Sequence, residues 1–348
     1  MAMKKKPMGQ AADDMCRKFP TVATTSLAKT LAREFKCSIE TARCAIRLAR
    51  GNHGKEMRGN ATSPRPNGKS GAKTYRCPPS KAASWEKFEL NDGKIGIIND
   101  IHIPYHDRRA VMAAVNTLKK AKIHTLLING DLGDWYATSR WQQDPRKRKL
   151  AQEVIAQREF LGWLRQEFKR AQIVFKLGNH DERWDLWMWN NNQELYLLDD
   201  ELALYESEED GKEAVPIFDI RRWLKTENVG VEVVAEQRPI MAGHLPIFHG
   251  HELPAGGANA VNPSRGSYLR TAHSVLTGHL HRSSSHTEPD LWKKETTTWS
   301  VGCLCGMTPE YARINKWNWG FALVDVAVDR QFDVTNYRIN RDYQVRNS

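Results

Sequence analysis

The chain has 348 residues, 40% of them hydrophobic, with 52 Lys and Arg against 41 Asp and Glu. Its length exceeds one minimal domain, and 12 Trp, 10 Phe and 9 Tyr supply enough apolar surface for a core, which excludes a wholly disordered chain. No apolar run approaches the roughly 20 residues that cross a bilayer, and the basic start from Met1 to Lys6 leads into Gly9, Gln10 and Asp13; a cytoplasmic protein with no membrane partner is expected.

The charge is unevenly placed. Residues 1–90 carry 19 Lys and Arg against 7 Asp and Glu, a net +12, while the remainder carries 33 against 34, a net −1. Such a segment seeks a polyanion, nucleic acid first and DNA favoured. Six cysteines (Cys16, Cys37, Cys44, Cys77, Cys303 and Cys305) show no C-x-x-C spacing, so reduced thiols are expected.

From Ser26 to Phe35, Leu27, Leu31 and Phe35 fall at helical spacing; Ser38 then caps a second helix to Arg50, which Gly51 ends. Ile39, Ala42, Ala45 and Ile46 would face the first helix, and Arg43, Arg47 and Arg50 line another face as candidate nucleic-acid contacts. The pair resembles a helix-turn-helix over about 24–51, making residues 1–51 a small basic all-α module. Residues 52–83, rich in Gly, Pro, Ser, Asn and Lys, read as a flexible linker, and 84–348 as the main domain.

Beyond Lys94, the apolar runs KIGIIND, HTLLING and QIVFKLGN alternate with helical stretches, Arg108 to Lys120 and Pro145 to Arg170. Later runs (LPIFHG, SVLTGH, TTTWSVGCLCG, FALVDVAVD, FDVTNYRI) are mostly β. The fold class expected is α/β, two packed β-sheets flanked by helices, beside the all-α module. The acidic stretch at about 195–215 reads as a solvated insertion.

Each early strand ends in polar residues: Asp100 and His102, then Gly130, Asp131 and Asp134, then Gly178, Asn179, His180 and Asp181. Two later runs end in His249 and in His279 with His281. Open α/β sheets bind ligands at those carboxyl ends. Singly, each residue reads as a turn or cap; five such blocks in order point to a site. Carboxylate with imidazole suits manganese, iron, zinc or nickel, and the absence of cysteine argues against a structural zinc site.

Asp-x-His, Gly-Asp-x-x-Asp, Gly-Asn-His-Asp, a later His and Gly-His-x-His in this order resemble the calcineurin-like metallophosphoesterase superfamily, over about residues 93–340. The resemblance implies a metallophosphoesterase-like β-sandwich holding two divalent metal ions, manganese favoured. It implies that Asp100, His102 and His281 bind one metal, that Asn179, His249 and His279 bind the other, and that Asp131 bridges both. It also implies a catalytic His180 beside the pair, oriented by Asp134; a protonated His180 would donate to the departing alkoxide. Asp181 reads as a cap for the next helix, and His249 is preferred to His251 because it directly ends the run Leu245 to Phe248. His106, His124, His244, His273 and His286 are treated as structural or solvent-facing, and Cys303 and Cys305 as core residues of a strand.

Serine/threonine phosphoprotein phosphatases of this superfamily follow the second block with Arg-Gly and end the third with Glu; Trp135, Tyr136 and Asp181 depart from that pattern and disfavour such an activity. Trp135, Tyr136 and Trp141, followed by Arg146, Lys147 and Arg148 at a helix start capped by Asp144, pair aromatics with cations that would stack bases and hold phosphates. Trp184, Trp187 and Trp189 fit core packing. The expected function is two-metal hydrolysis of phosphodiester bonds in DNA or another nucleic acid. The alternatives are a phosphomonoesterase or small nucleotide phosphodiesterase, and a DNA-binding regulator carrying an inert phosphoesterase fold.

Overall fold

A computed structural model describes residues 7–50, 79, 86–141, 143–210, 214–235, 237–253, 261–289 and 291–347. The chain divides into two compact units, residues 1–81 and 82–348.

The first unit holds three helices, α1 (Met8–Lys18), α2 (Thr24–Phe35) and α3 (Ile39–Ala49). The sequence reading contains no counterpart of α1, whose Ala12 joins Leu27, Ala28, Leu31, Ala42 and Ile46 in the core. Ser38 Oγ accepts from Thr41 N at 3.0 Å, the cap that the sequence predicts for α3. Ile39, expected against α2, is 46% exposed, because it occupies the first position of α3, a turn short of the packed Ala42. The expected linker 52–83 and Gly51 lie outside the described residues, apart from Pro79.

The second unit opens with β1 (Phe88–Glu89), β2 (Gly93–Ile98), α4 (Arg108–Ala121), β3 (Thr125–Asn129), α5 (Leu150–Glu167) and β4 (Gln172–Lys176). It continues through α6 (Arg183–Asn191), α7 (Gln193–Asp210), α8 (Ile220–Leu224), β5 (Val231–Val234), β6 (Ile240–Ala242), β7 (Leu245–Phe248), α9 (Pro263–Thr271) and β8 (Val275–Thr277). The closing strands are β9 (Ser284–Pro289), β10 (Glu295–Ser300), β11 (Trp319–Val326), β12 (Phe332–Ile339) and β13 (Val345–Asn347).

Two mixed sheets result, in the orders β13-β12-β11-β2-β3-β4-β5 and β1-β6-β7-β8-β10-β9. Strands β2 to β5 run parallel, so their carboxyl ends meet along one edge. Alternation along each strand divides the core. Ile95 and Ile97 of β2, Leu127 of β3 and Val174 of β4 face the second sheet, where they pack with Ile240, Leu245, Ile247 and Leu276. Their neighbours Ile98, Leu126, Ile128, Ile173 and Phe175 face α4 and α5, meeting Val111, Val115, Leu118, Phe160, Leu161 and Leu164. On the far side, α9 packs against β8, β9 and β10. The layers are therefore helix, sheet, sheet, helix, as the sequence predicts.

One local expectation needs correction. The helix expected from Pro145 is a 3-10 turn over Pro145–Lys147, with α5 starting only at Leu150, because Arg148 and Lys149 adopt ψ of 78° and 58° and break the helical path. The acidic stretch forms the regular helix α7, most of it exposed to solvent. Leucines between its acids supply helix propensity, and buried Asp199 accepts from Ile217 N at 3.0 Å and Phe218 N at 2.8 Å. Residues 211–213, inside its expected span, lie outside the described residues.

Candidate metal centre

Where the parallel strands end, the backbone is bent into conformations that side chains avoid. Asp100, His102, Asp131, His279 and His281 all adopt left-handed φ, at 50°, 52°, 54°, 64° and 55°. Each such residue costs roughly 1–3 kcal/mol and persists only where its surroundings impose it. Here they do: Asp100 N donates to Gly130 O at 3.1 Å, His102 N to Asp131 O at 3.1 Å, and His279 N to Asp100 Oδ2 at 2.9 Å. The two blocks whose outer residues are both left-handed, Asp-x-His and His-x-His, are thereby locked to one another.

Glycine is required at two positions because loops touch. A Cβ on Gly178 would overlap the carboxylate and backbone nitrogen of Asp131, and one on Gly130 would overlap the His249 ring. Asp181 ties these loops together. Its buried carboxylate accepts from Asp131 N at 2.8 Å, Gly178 N at 2.9 Å and Trp135 Nε1 at 3.2 Å, so it is a brace and not the cap that the sequence suggests.

The aspartates and histidines expected to bind metal come together. His281 Nε2 lies 3.0 Å from Asp100 Oδ1 and 3.2 Å from His102 Nε2. Asp131 Oδ2 lies 3.3 Å from His249 Nε2, 3.8 Å from His102 Nε2 and 4.0 Å from His180 Nε2. Ligand atoms of Asp131, His249 and His279 all fall within 4.8 Å of one another, as do those of His102, Asp131 and His180. Asp131 belongs to both groups. His251, the rival to His249, points elsewhere, its Nε2 3.1 Å from Glu182 Oε2.

Protons and tautomers follow from the partners. His249 donates from Nδ1 to Asn129 O at 2.7 Å, which turns Nε2 towards Asp131 with no hydrogen-bond partner. The buried Oδ1 of Asn179 likewise has none. Burial depresses His249 and His281, but the Asp131 and Asp100 carboxylates outweigh it and lift both to about 10. Burial opposes ionisation of Asp131, yet His249 and His180 hold its carboxyl well below the usual range. His279, pushed down to about 4 by burial and by His249, stays neutral. Anionic oxygens balanced by imidazole protons form a set that a cation fits, since it takes the protons' place.

His180 sits beside the centre, with Nδ1 donating to Asp134 O at 3.0 Å. Asp134 Oδ1 lies 3.4 Å from His180 Nδ1 and 3.3 Å from His102 Nδ1. Sequence reasoning missed Arg183, which donates to His180 Nε2 at 2.8 Å and to Asp134 O at 2.8 Å. A guanidinium only donates, so His180 Nε2 accepts in this contact. The one signal was its position, two residues after the Gly-Asn-His-Asp block. Also missed was Lys176, wholly buried at the end of β4 and paired with Glu252 Oε1 at 2.9 Å.

Other candidates are placed differently. Trp135, read as a base platform, is fully buried: its left-handed φ of 50° turns the indole inwards to Asp181. Trp141 is 67% exposed. Arg146 is paired with Asp144 at 2.8 Å, Lys147 with Glu310, and Arg148 donates to Ala137 O at 3.2 Å. In the amino-terminal unit, Arg43 is paired with Glu40 at 2.8 Å and Arg50 donates to Thr24 Oγ1 at 2.9 Å, whereas Arg47 is exposed. Cys303 and Cys305 are buried, but in the loop after β10 rather than in a strand. Cys305 Sγ lies 3.9 Å from His281 Nδ1, so it is more than core filling.

A family model described as calcineurin-like phosphoesterase matches residues 93–296, from β2 into β10. The chain belongs to that family. The "Gene 54 protein" of Mycobacterium phage L5 is 29% identical over 253 residues, spanning 67% of this chain and 89% of the phage protein. Its namesake from Mycobacterium phage D29 is 28% identical over 251 residues, with the same coverage of 67% and 89%. Solved structures similar to the chain include Vacuolar Protein Sorting 29 from Cryptosporidium parvum, 15% identical at a TM-score of 0.37 over 74% of this chain and 97% of that one. Another is Yfce, a phosphoesterase from E. coli, 14% identical at a TM-score of 0.28 over 69% and 96%. In this calcineurin-like phosphoesterase, β11 to β13 lie beyond the matched residues yet complete the seven-stranded sheet.

Proposed function

We propose that this chain hydrolyses phosphodiester bonds with two divalent cations, manganese foremost, and that its substrate is DNA or another nucleic acid gathered by the basic amino-terminal unit. One observation carries the reading: Asp131 shares ligand-bonding distance with His249 and His279 on one side and with His102 and His180 on the other, while the buried Oδ1 of Asn179 has no hydrogen-bond partner. Buried polar atoms are almost always satisfied, so an orphaned amide oxygen and a buried cluster of carboxylates and imidazoles call for a cation. In this reading Asp100, His102 and His281 hold one cation, Asn179, His249 and His279 hold the other, and Asp131 reaches both. When bound, such a pair neutralises phosphoryl charge and lowers the pKa of a coordinated water towards about 7.

The remaining work falls to side chains. Arg183 uses two of its donors on His180 and Asp134 and keeps others for a phosphoryl oxygen. A phosphate that draws Arg183 away frees His180 Nε2 to hold a proton beside the leaving oxygen, while Asp134 O keeps the ring in register. The test is hydrolysis of bis-p-nitrophenyl phosphate with manganese, run against p-nitrophenyl phosphate and against chelator. Metal-dependent turnover favouring the diester is expected; turnover of the monoester alone, or of neither, overturns the proposal.

A further inference from the structure

A cavity of about 370 Å³ opens onto the centre, with His102 and Asp134 in its wall. That volume lies within the roughly 300–1,000 Å³ of small-ligand pockets. Tyr105, Tyr136 and Trp317 also line it, and Lys147 and Glu310 stand at the same cavity as an ion pair, their charges cancelled. The aromatic placement is built in. Trp317 meets the His281 ring edge to face, centroids 4.1 Å apart. Its N donates to Asn315 Oδ1 at 3.0 Å, and Asn315 Nδ2 in turn donates to Met307 O at 2.7 Å, stapling the loop. Tyr136 is fixed by Asp144 N, which donates to its hydroxyl at 2.8 Å.

Three aromatic rings and a neutralised ion pair select against a second phosphate or a free sugar and favour a flat, uncharged group. Resting on the phosphodiesterase reading, we infer that this cavity receives the base of the nucleotide whose phosphate lies at the centre. A base can enter only after leaving its stack, so single strands and frayed ends are preferred over paired duplex.

The test compares manganese-supported kcat/KM for a thymidine dinucleotide with the values for two versions in which one or the other base is replaced by hydrogen. Loss of one base lowers kcat/KM about tenfold, and loss of the other has little effect. Trp317→Ala and Tyr105→Ala each bring the ratio near one, while Trp317→Phe preserves it. Equal cleavage of all three by the wild type overturns the subsite and leaves the diesterase reading standing. So does turnover of bis-p-nitrophenyl phosphate without any dinucleotide. If Trp317→Ala slows every substrate equally, the residue only supports His281 and the inference fails. Turnover of no diester at all removes the underlying reading as well.

Discussion

At Asp134 one carboxylate serves two imidazoles, 3.3 Å from His102 and 3.4 Å from His180. Burial works against its charge, but those two rings hold it below the ordinary carboxylate range. Asp134→Asn is expected to lower metal affinity or kcat by about 10- to 100-fold, as for other groups that orient ligands; calorimetric manganese titration beside kcat would read it. Arg183→Ala is expected to lower kcat on bis-p-nitrophenyl phosphate by roughly 10²-fold with little change in KM, as for a lost donor to developing charge. A kcat within twofold of wild type would remove Arg183 from the reaction. The convergence of the aspartates and histidines was legible because each block joins residue type to spacing at a strand end. Arg183 was not, since an arginine opening a helix reads as surface, and neither was the inward turn of Trp135, which is set by one backbone angle.

Among the elements, β4 and the turn after β7 are joined by a charge pair at the sandwich's end. Lys176 Nζ meets Glu252 Oε1 at 2.9 Å and donates to Arg238 O at 2.8 Å, while Glu252 accepts from His249 N at 3.2 Å and Gly250 N at 2.6 Å. Burial alone would raise the Glu252 carboxyl, but Lys176 and the histidines beside it hold it at about 2. Its folded pKa therefore lies below the unfolded value of about 4.3. The stabilisation it contributes is complete above that value and is lost as pH falls towards 2. Glu252→Gln, which strands a buried ammonium, is expected to cost about 3–5 kcal/mol, read by denaturant unfolding at neutral pH, and to flatten the acid limb of the stability profile. A loss below about 1 kcal/mol, the worth of an exposed pair, would mean that water reaches Lys176. The sheets were readable from the short apolar runs of β2, β3 and β4, set between helical stretches. This pair was not, because a lysine ending QIVFK looks like the strand's exit to solvent and its partner lies far along the chain.

For the whole molecule, the uneven charge sets an expectation that salt can test. If the amino-terminal unit binds phosphates, deleting residues 1–81 should weaken binding to labelled DNA and flatten the plot of log affinity against log salt by about 0.9 for each phosphate no longer neutralised, or about 0.7 on single strands. Unchanged slopes would dissociate the basic unit from nucleic acid. The other whole-molecule consequence comes from the five left-handed residues at the centre. Holding them there is work done by the rest of the fold, and a cation that binds only the folded arrangement offsets it. Manganese should therefore act as a folding ligand as well as a reagent, adding about 2.7 kcal/mol at a hundredfold excess over its Kd and raising the melting temperature in step with concentration. Alkaline earth ions too hard for the imidazoles should raise it less. A cell that starves this protein of metal would then lose the polypeptide itself, through unfolding and proteolysis, along with its activity.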